Sequence, residues 1–336
     1  MVAVPKPADT IAARIDQWWE NQTEAPRPHL GASVLGHPCE RWLWLSFRWA
    51  IREKFPGRML RLFNRGQREE ALIVENLRRI GIDIRHTGTD DGGQNYLDLG
   101  CHVGGSVDGI IEGGVPVAPK TRHVAEFKTH SLKSFTELRQ SGVFEAKRRH
   151  WCQMQCYMYG TGIKRALYVA VCKDNDEIYT ERVEYNPHAA KDIIERGHRI
   201  ALTERIPPPL SDNPAWYQCK YCAAWRFCFE THMIEPDCVN CRTCGHVTPL
   251  KDGTWKCEHL PLFGMNPQEQ LEGCTSHALH PDLVPWTFHG GDEDGCAIYE
   301  IDGKRVLNGG RGDKGLFSAD LLSGKFEPRG VAEVPF

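Results

Sequence analysis

The chain lacks any apolar run near the roughly 20 residues that a membrane-spanning helix needs, which excludes a helical membrane protein. Its opening stretch, Met1 to Pro7, has no apolar signal-peptide core, so the expected compartment is the cytoplasm, that of the bacterial host if the chain is phage-encoded. Positive charge is not in excess either. The 41 Lys and Arg face 44 Asp and Glu for a net charge of -3, so any nucleic-acid contact must come from a local patch. A GxxxxGKS/T phosphate loop is absent, which argues against an ATP-driven motor of the P-loop type, and there are no repeats or low-complexity tracts.

Cysteine, by contrast, is abundant. The chain holds 14 cysteines, nine of them between Cys219 and Cys296, and in a reducing compartment such clustering points to metal ligands rather than disulfides. Cys101, Cys152, Cys156 and Cys172 fall in apparent strands and a helix and read as small buried residues. With 336 residues there is enough chain for one sizeable core and a smaller module.

Periodicity predicts an amphipathic helix over 8–22, a Pro-rich break at 25–28, and a helix through Arg41–Leu45 capped by Ser33. A long helix is expected over Arg58–Arg79, ending at Gly81. Strands are expected at 82–86, 94–100, 102–111 and 122–129, then a helix over 132–160 broken near Gly142. Strands at 165–172 and 177–185 and a helix from Pro187 to about Glu204 complete an α/β pattern. Ile206-Pro207-Pro208-Pro209 marks the exit from that core, and the tail holds a hairpin turning at Asp302-Gly303.

The most informative stretch is Ala125-Glu126-Phe127-Lys128-Thr129-His130. Strand alternation puts Glu126 and Lys128 on one face and Phe127 on the other. With Asp108 of Gly105-Ser106-Val107-Asp108 on a neighbouring strand, the carboxylates suit a hard divalent cation, and the lysine stands near an attacking water. Hydrolysis of a phosphodiester fits this grouping best. Glu70 shares an inward helical face with Met59, Phe63, Val74 and Leu77, with Gly66 one turn before it leaving room for close approach. It is either bound to a cation or sits at the stripe's edge paired with an arginine.

Arg58, Arg61, Arg65 and Arg68 form a basic stripe taken as adjacent to the Glu70 face, with few balancing acids. It is either a phosphate-binding edge or a solvated helix face. Gln153 and Tyr157, one helical turn apart, are placed to hold a phosphate or a water, with Lys147, Arg148 and Arg149 just upstream as a further DNA contact.

Together Gly66-x-x-x-Glu70, Gly105-x-x-Asp108, Glu126-Phe127-Lys128 and Gln153-x-x-x-Tyr157 resemble, in order, the motifs of the PD-(D/E)XK nuclease superfamily, and specifically its RecB-like branch. The resemblance covers roughly residues 30–230. It implies a restriction-endonuclease-like α/β core, a mixed central sheet flanked by helices. In that family the two central carboxylates bind Mg2+ or Mn2+ and the lysine helps activate water; these roles fall on Asp108, Glu126 and Lys128, with Glu70 as a further metal ligand. The RecB-like branch usually has His where this chain has Glu70, while other exonucleases of the superfamily use Glu.

Cys219-x2-Cys222-x5-Cys228 has no fourth ligand nearby, but Cys39 lies just ahead of the core. Four thiolates accept zinc or an iron–sulfur cluster alike. One remote and three close cysteines are how RecB-like and CRISPR-associated nucleases hold a 4Fe–4S cluster, so the resemblance implies iron–sulfur at Cys39, Cys219, Cys222 and Cys228, with zinc the runner-up. A second set resembles a zinc ribbon, with Cys241, Cys244, Cys257 and Cys274 chosen as ligands and Cys238, His259 and His277 as competitors.

The expected layout is an N-terminal helical segment (1–29), the nuclease core (30–232), a zinc-binding module (233–289) and a short β-rich tail (290–336). The expected activity is a metal-dependent DNA exonuclease acting on single strands or duplex ends in phage or bacterial recombination, repair or CRISPR-type processing. The partners to expect besides DNA are recombination or CRISPR proteins and further copies of the chain. The alternatives are a non-catalytic nucleic-acid-binding or scaffold protein, and an endonuclease using the same site.

Overall fold

A computed structural model describes residues 10–22, 25–310 and 314–324. Helix α1 (Ile11–Glu20) starts where the Thr10 hydroxyl accepts the Ala13 N–H at 3.1 Å; residues 8 and 9 of the expected helix lie outside the described residues. After β1 (Leu30–Gly31) comes α2 (Glu40–Phe47). Its cap is not Ser33 but Cys39, whose Sγ accepts the Trp42 N–H at 3.4 Å. Pro38 accounts for the difference, because it biases His37 away from helical geometry and stops a helix from starting earlier. Ser33 lies in the preceding turn and accepts a hydrogen bond from Arg27 at 3.1 Å.

Helix α3 (Gly57–Arg79) stops just before Gly81, whose φ of +83° favours a residue with no Cβ. Strands β2 (Ile84–Arg85), β3 (Tyr96–Asp98), β4 (Val103–Ser106), β5 (Gly109–Ile111) and β6 (His123–His130) follow. Helices α4 (Leu132–Ala146, kinked at Gly142) and α5 (Arg148–Thr161) cross over to β7 (Arg165–Cys172), β8 (Ile178–Glu184) and α6 (Pro187–Leu202).

The main sheet has the order β2-β5-β6-β7-β8, antiparallel except for the parallel β6–β7 pair that the crossover requires. This is the mixed central sheet expected, with helices on both faces. On one face Phe127, Leu167 and Val169 pack with Ile73 and Val74 of α3. On the other, Val124, Tyr168 and Ala170 pack with Phe135 of α4 and Met154 and Met158 of α5.

The single strand expected over 102–111 is two strands in two sheets. β4 pairs with β1 and β3, whereas β5 joins the main sheet, and Val107-Asp108 makes the passage between them. Cys101 is not in a strand either. It lies in the turn between β3 and β4 with φ of +45°.

Strands β9 (Val247–Pro249), β10 (Trp255–Cys257) and β11 (Leu262–Phe263) form an antiparallel sheet beside α7 (Pro267–Glu272). Strands β12 (Thr287–Gly291), β13 (Cys296–Ile301) and β14 (Lys304–Gly309) form another, ahead of α8 (Ser318–Leu322). The β13–β14 hairpin turns at Asp302-Gly303, both at positive φ as a tight primed turn demands.

The cysteine-rich segment packs directly against the rest of the chain. Trp255, Leu279 and Tyr299 belong to the same continuous buried cluster as Leu43 and Trp44 of α2. Arg242, 1% exposed, is the bolt between the two parts. Its guanidinium lies 3.7 Å from the Trp49 ring and 4.7 Å from that of Trp255, and it donates to Phe47 O, Pro28 O and Gln270 Oε1 at 2.9, 2.9 and 2.7 Å. No helix among the described residues is long and apolar enough to cross a membrane.

Candidate active site and cysteine clusters

The passage between the two sheets sets the geometry of the acidic site. Leaving β4, the chain turns at Asp108, whose Oδ2 accepts the Phe127 N–H of β6 at 2.8 Å. Asp108 is thereby fixed beside Glu126. The Lys128 ammonium contacts Glu126 Oε1, stands 3.9 Å from Asp108 Oδ2, and donates to Phe127 O at 2.9 Å. Glu126 is completely buried, and neither of its oxygens accepts a well-formed hydrogen bond.

The titration behaviour follows from this crowding. Burial pushes Glu126 up to about 8 against the pull of Lys128, with Asp108 adding to the rise. Burial also raises Asp108, while Lys128 and the Phe127 N–H pull it back. Glu70 rises to about 7, first through burial and then through the charge of Asp108, which places it in the same electrostatic group. For Lys128, burial opposes the charge, but Glu126, Asp108 and Glu70 outweigh it and hold the ammonium above the usual lysine value. Asp108 and Glu126 share the Lys128 ammonium, and Glu70 feels the charges of Asp108 and Lys128; carboxylate oxygens are the hard donors a divalent cation takes, but no three such side chains among the described residues converge into a ready metal site.

Gln153 Nε2 donates to Tyr157 Oη at 3.1 Å, and both side chains are buried. Burial raises the Tyr157 phenol, with Glu126 the next cause, so this pair belongs to the acidic group. Gly105 makes the approach possible, since a Cβ there would lie 3.1 Å from the Tyr157 ring. Gly66 has no such role: a Cβ would meet only Thr129 Oγ1 at 3.8 Å, ordinary contact. Nor is the whole stripe around Glu70 inward. Ile73 and Val74 are buried, but Met59 is half-buried and Phe63 is exposed against Phe55, because the sheet underlies only the later turns of α3.

The basic stripe stands elsewhere than expected. At 3.6 residues per turn, Arg65 and Glu70 are about 140° apart around α3, so the arginines flank the helix away from the acids. The balancing acid is present too, on α1: Arg61 pairs with Asp16. Arg65 donates to Lys173 O at 2.9 Å, Arg58 reaches Met59 Sδ at 3.7 Å, and Arg68 is exposed. Upstream of Gln153, Lys147 pairs with Glu137 at 2.9 Å, and the Arg148 guanidinium lies 4.1 Å from the Phe144 ring and 4.4 Å from that of Trp151. Burial lowers Arg149, opposed by the charge of Glu53.

Cys39, Cys219, Cys222 and Cys228 converge with His37, Trp42 and Phe229 on one small cavity of about 20 Å³. Burial raises Cys222 to about 11, and Cys39, Cys228 and Cys219 each raise it further. The four thiols line one apolar pocket and would repel one another when charged, and thiolates are the soft donors that zinc and iron–sulfur clusters take. Arg41 Nη1 lies 4.0 Å from Cys228 Sγ.

The second set also groups. Burial raises Cys241 to about 11 and Cys244 to about 12, with Cys274 and Cys257 acting on both. Cys238 turns to Asp237 instead. Both ring nitrogens of His277 are engaged, Nδ1 with Ser318 Oγ at 2.8 Å and Nε2 with Asn240 O at 3.0 Å. His259 stacks on His246.

Sequence reasoning missed His130, Tyr168 and His150, which form a hydrogen-bonded chain on the Glu126 face of the sheet. The signal was there in part: His130 alternates with Lys128, and His150 precedes Gln153 by three positions on α5.

No family model and no curated protein matches the chain. Among solved structures it is similar to SSO0001, at 14% identity and a TM-score of 0.39, over 65% of this chain and 95% of that one. It is also similar to LHK-Exo, an alkaline exonuclease from Laribacter hongkongensis, in complex with dAMP (15% identity, TM-score 0.37) and in a second structure (15%, 0.33), each over 55% of this chain and 90% of that one. At such identities and TM-scores the case for the site rests on its own geometry.

Proposed function

We propose that this chain is a deoxyribonuclease dependent on Mg2+ or Mn2+, acting as an exonuclease on single-stranded DNA or duplex ends. The observation that carries the reading is Glu126: a completely buried carboxylate with no well-formed hydrogen bond, beside Asp108, Glu70 and the Lys128 ammonium. Without a cation such a group is costly, and structural ion pairs are normally completed by donors that are missing here.

Glu70, Asp108 and Glu126 would hold the cation, which when bound supplies Lewis-acid stabilisation of the phosphate charge. Lys128 stays protonated, so it acts as a fixed positive charge and donor to the developing oxyanion and not as a base. The Gln153–Tyr157 pair, locked by its own hydrogen bond, orients whatever oxygen reaches that side. Cys39, Cys219, Cys222 and Cys228 would hold an iron–sulfur cluster, and Cys241, Cys244, Cys257 and Cys274 a zinc ion. Both would be folding staples, since hydrolysis needs no electron transfer.

The test is anaerobic purification with iron, sulfide and zinc analysis, followed by incubation with Mn2+ or Mg2+ and linear or covalently closed circular DNA. Degradation of linear DNA alone is expected, and its loss in Glu126→Gln. Cleavage of the closed circle would make the enzyme an endonuclease. Undiminished cleavage by Glu126→Gln would remove the site from the chemistry.

A further inference from the structure

Large apolar side chains scattered singly over a surface need no explanation, but a run of them on one loop does. Such a run lies just ahead of and between Cys219 and Cys222. Trp216 is 43% exposed, Tyr217 69% and Tyr221 86%. Between Asp212 and Glu230 the chain has no acid, while Lys220 and Arg226 supply positive charge.

The loop is built to hold these rings outward. The Trp216 N–H donates to Asn213 O at 3.0 Å, and the Trp216 carbonyl accepts the N–H groups of Cys219 and Lys220, each at 2.9 Å. The Cys222 N–H donates to Cys219 O at 2.9 Å, and Trp225 Nε1 reaches back to Pro214 O at 3.1 Å. Cys219, Cys222 and Trp225 turn to the cysteine pocket, which leaves the other rings to solvent. Trp216 and Tyr217 stand 5.0 Å apart and are tilted by 54°, so they do not stack face to face on each other. The Lys220 ammonium lies 5.4 Å from the Tyr221 ring centre and makes no ion pair among the described residues, whereas Arg226 is held by Glu230 and Glu235.

We propose that Trp216, Tyr217 and Tyr221 are a stacking platform for the bases of single-stranded DNA, with Lys220 taking a phosphate. The proposal rests on the nuclease reading above and narrows its substrate to DNA with an unpaired strand. Open π faces match unpaired bases, while a duplex keeps its base faces inside its own stack and offers edges and phosphates instead. A protein interface is built around a desolvated apolar centre, but Gln218 and Lys220 interrupt these rings. The platform is joined to the acidic site through α5. Gln218 and Cys219 line the same pocket as His37, and Gly36 packs so closely on α5 that a Cβ there would stand 2.9 Å from Arg149 Cα. The same helix carries Gln153 and Tyr157.

Binding is measured without turnover, in buffer stripped of divalent cations by resin, with a fluorescent oligothymidylate and a blunt duplex as probes. The oligothymidylate binds more tightly than the duplex. Tyr217→Ala and Tyr221→Ala each weaken it by at least about fivefold, the low end of what one base stacked on a ring contributes, whereas Tyr221→Phe, which keeps the ring, stays within about twofold. Lys220→Gln lowers the slope of log affinity against log salt by about 0.7, the value for one phosphate contact on a single strand. The oligothymidylate also quenches tryptophan emission, and Trp216→Phe removes that quench. Melting temperature and metal content of each variant confirm that the fold is kept.

Equal affinity for the duplex, or oligothymidylate binding that the two alanine variants leave within twofold, overturns the platform and assigns the rings to a protein partner. Cleavage of DNA on adding Mn2+ or Mg2+ would in that case leave the nuclease reading standing. Ring-dependent binding with no cleavage would sink the nuclease reading and keep the platform.

Discussion

Replacing Glu126 with Gln should stabilise the metal-free protein, and increasingly so as pH rises. Glu126 titrates near 8 in the folded chain against 4.5 as a free side chain, because burial outweighs the attraction of Lys128. Between those two values the folded state holds a proton that the unfolded state has released. The slope of unfolding free energy with pH is then negative, so stability is lost as pH climbs from about 4.5 towards 8. At about 1.36 kcal/mol per pH unit, the full span is on the order of 5 kcal/mol. Glutamine has nearly the same shape and never ionises, so Glu126→Gln should match the unaltered protein near pH 5 and exceed it by several kcal/mol at pH 8. Urea unfolding at pH 5, 6, 7 and 8 measures this, in buffer stripped of divalent cations by resin so that metal on the cysteines is kept. Added Mg2+ should reverse the order at pH 8, because only the carboxylate binds it. An advantage of the variant that stays constant or shrinks with pH refutes the account of Glu126 as a buried carboxylate awaiting a cation.

Three further outcomes are expected. Lys128→Met should lower DNA cleavage by roughly 10²–10³, the usual effect of removing one donor to a developing oxyanion, and a loss under threefold in a steady-state assay would deny it that role. Cys222→Ala should remove the metal proposed at Cys39, Cys219, Cys222 and Cys228 and lower the melting temperature, whereas an unchanged metal content by elemental analysis would count against the cluster. Arg242→Ala should cost about 4 kcal/mol in urea unfolding, because it leaves Phe47 O, Pro28 O and Gln270 Oε1 without a donor and opens space between Trp49 and Trp255; a cost below 1 kcal/mol would contradict the bolt described above.

Local pattern made the main elements legible. The β7 strand is observed over the very residues expected, and α3 and α6 fall within a few residues, because alternation and helical periodicity are local properties; the helix expected over 132–160 kinks at Gly142 as expected but divides at Lys147. That Asp108, Glu126 and Lys128 lie side by side was also readable, from strand alternation and motif order. What escaped the sequence is non-local. That a strand would leave one sheet for another at Val107-Asp108 depends on which neighbours claim β4 and β5. The partner of Arg61 is an acid on a different helix, and nothing in the spacing of Arg58, Arg61, Arg65 and Arg68 announces it. The link from His130 through Tyr168 to His150 joins residues on two strands and a helix, so only their packing reveals it.

The burial of Arg242 sets a timetable for synthesis. Its carbonyl partner at Phe47 lies 195 positions earlier in the chain, and its other contacts reach back to Pro28 and forward to Gln270. At about 5–20 residues per second, the N-terminal aromatic pocket waits roughly 10–40 s on the ribosome before the guanidinium that fills it has been made. Through that interval Phe47 and Trp49 have no Arg242 to cover them, so the nascent chain carries an apolar surface that the finished protein hides. A truncation before Arg242 would make that temporary exposure permanent.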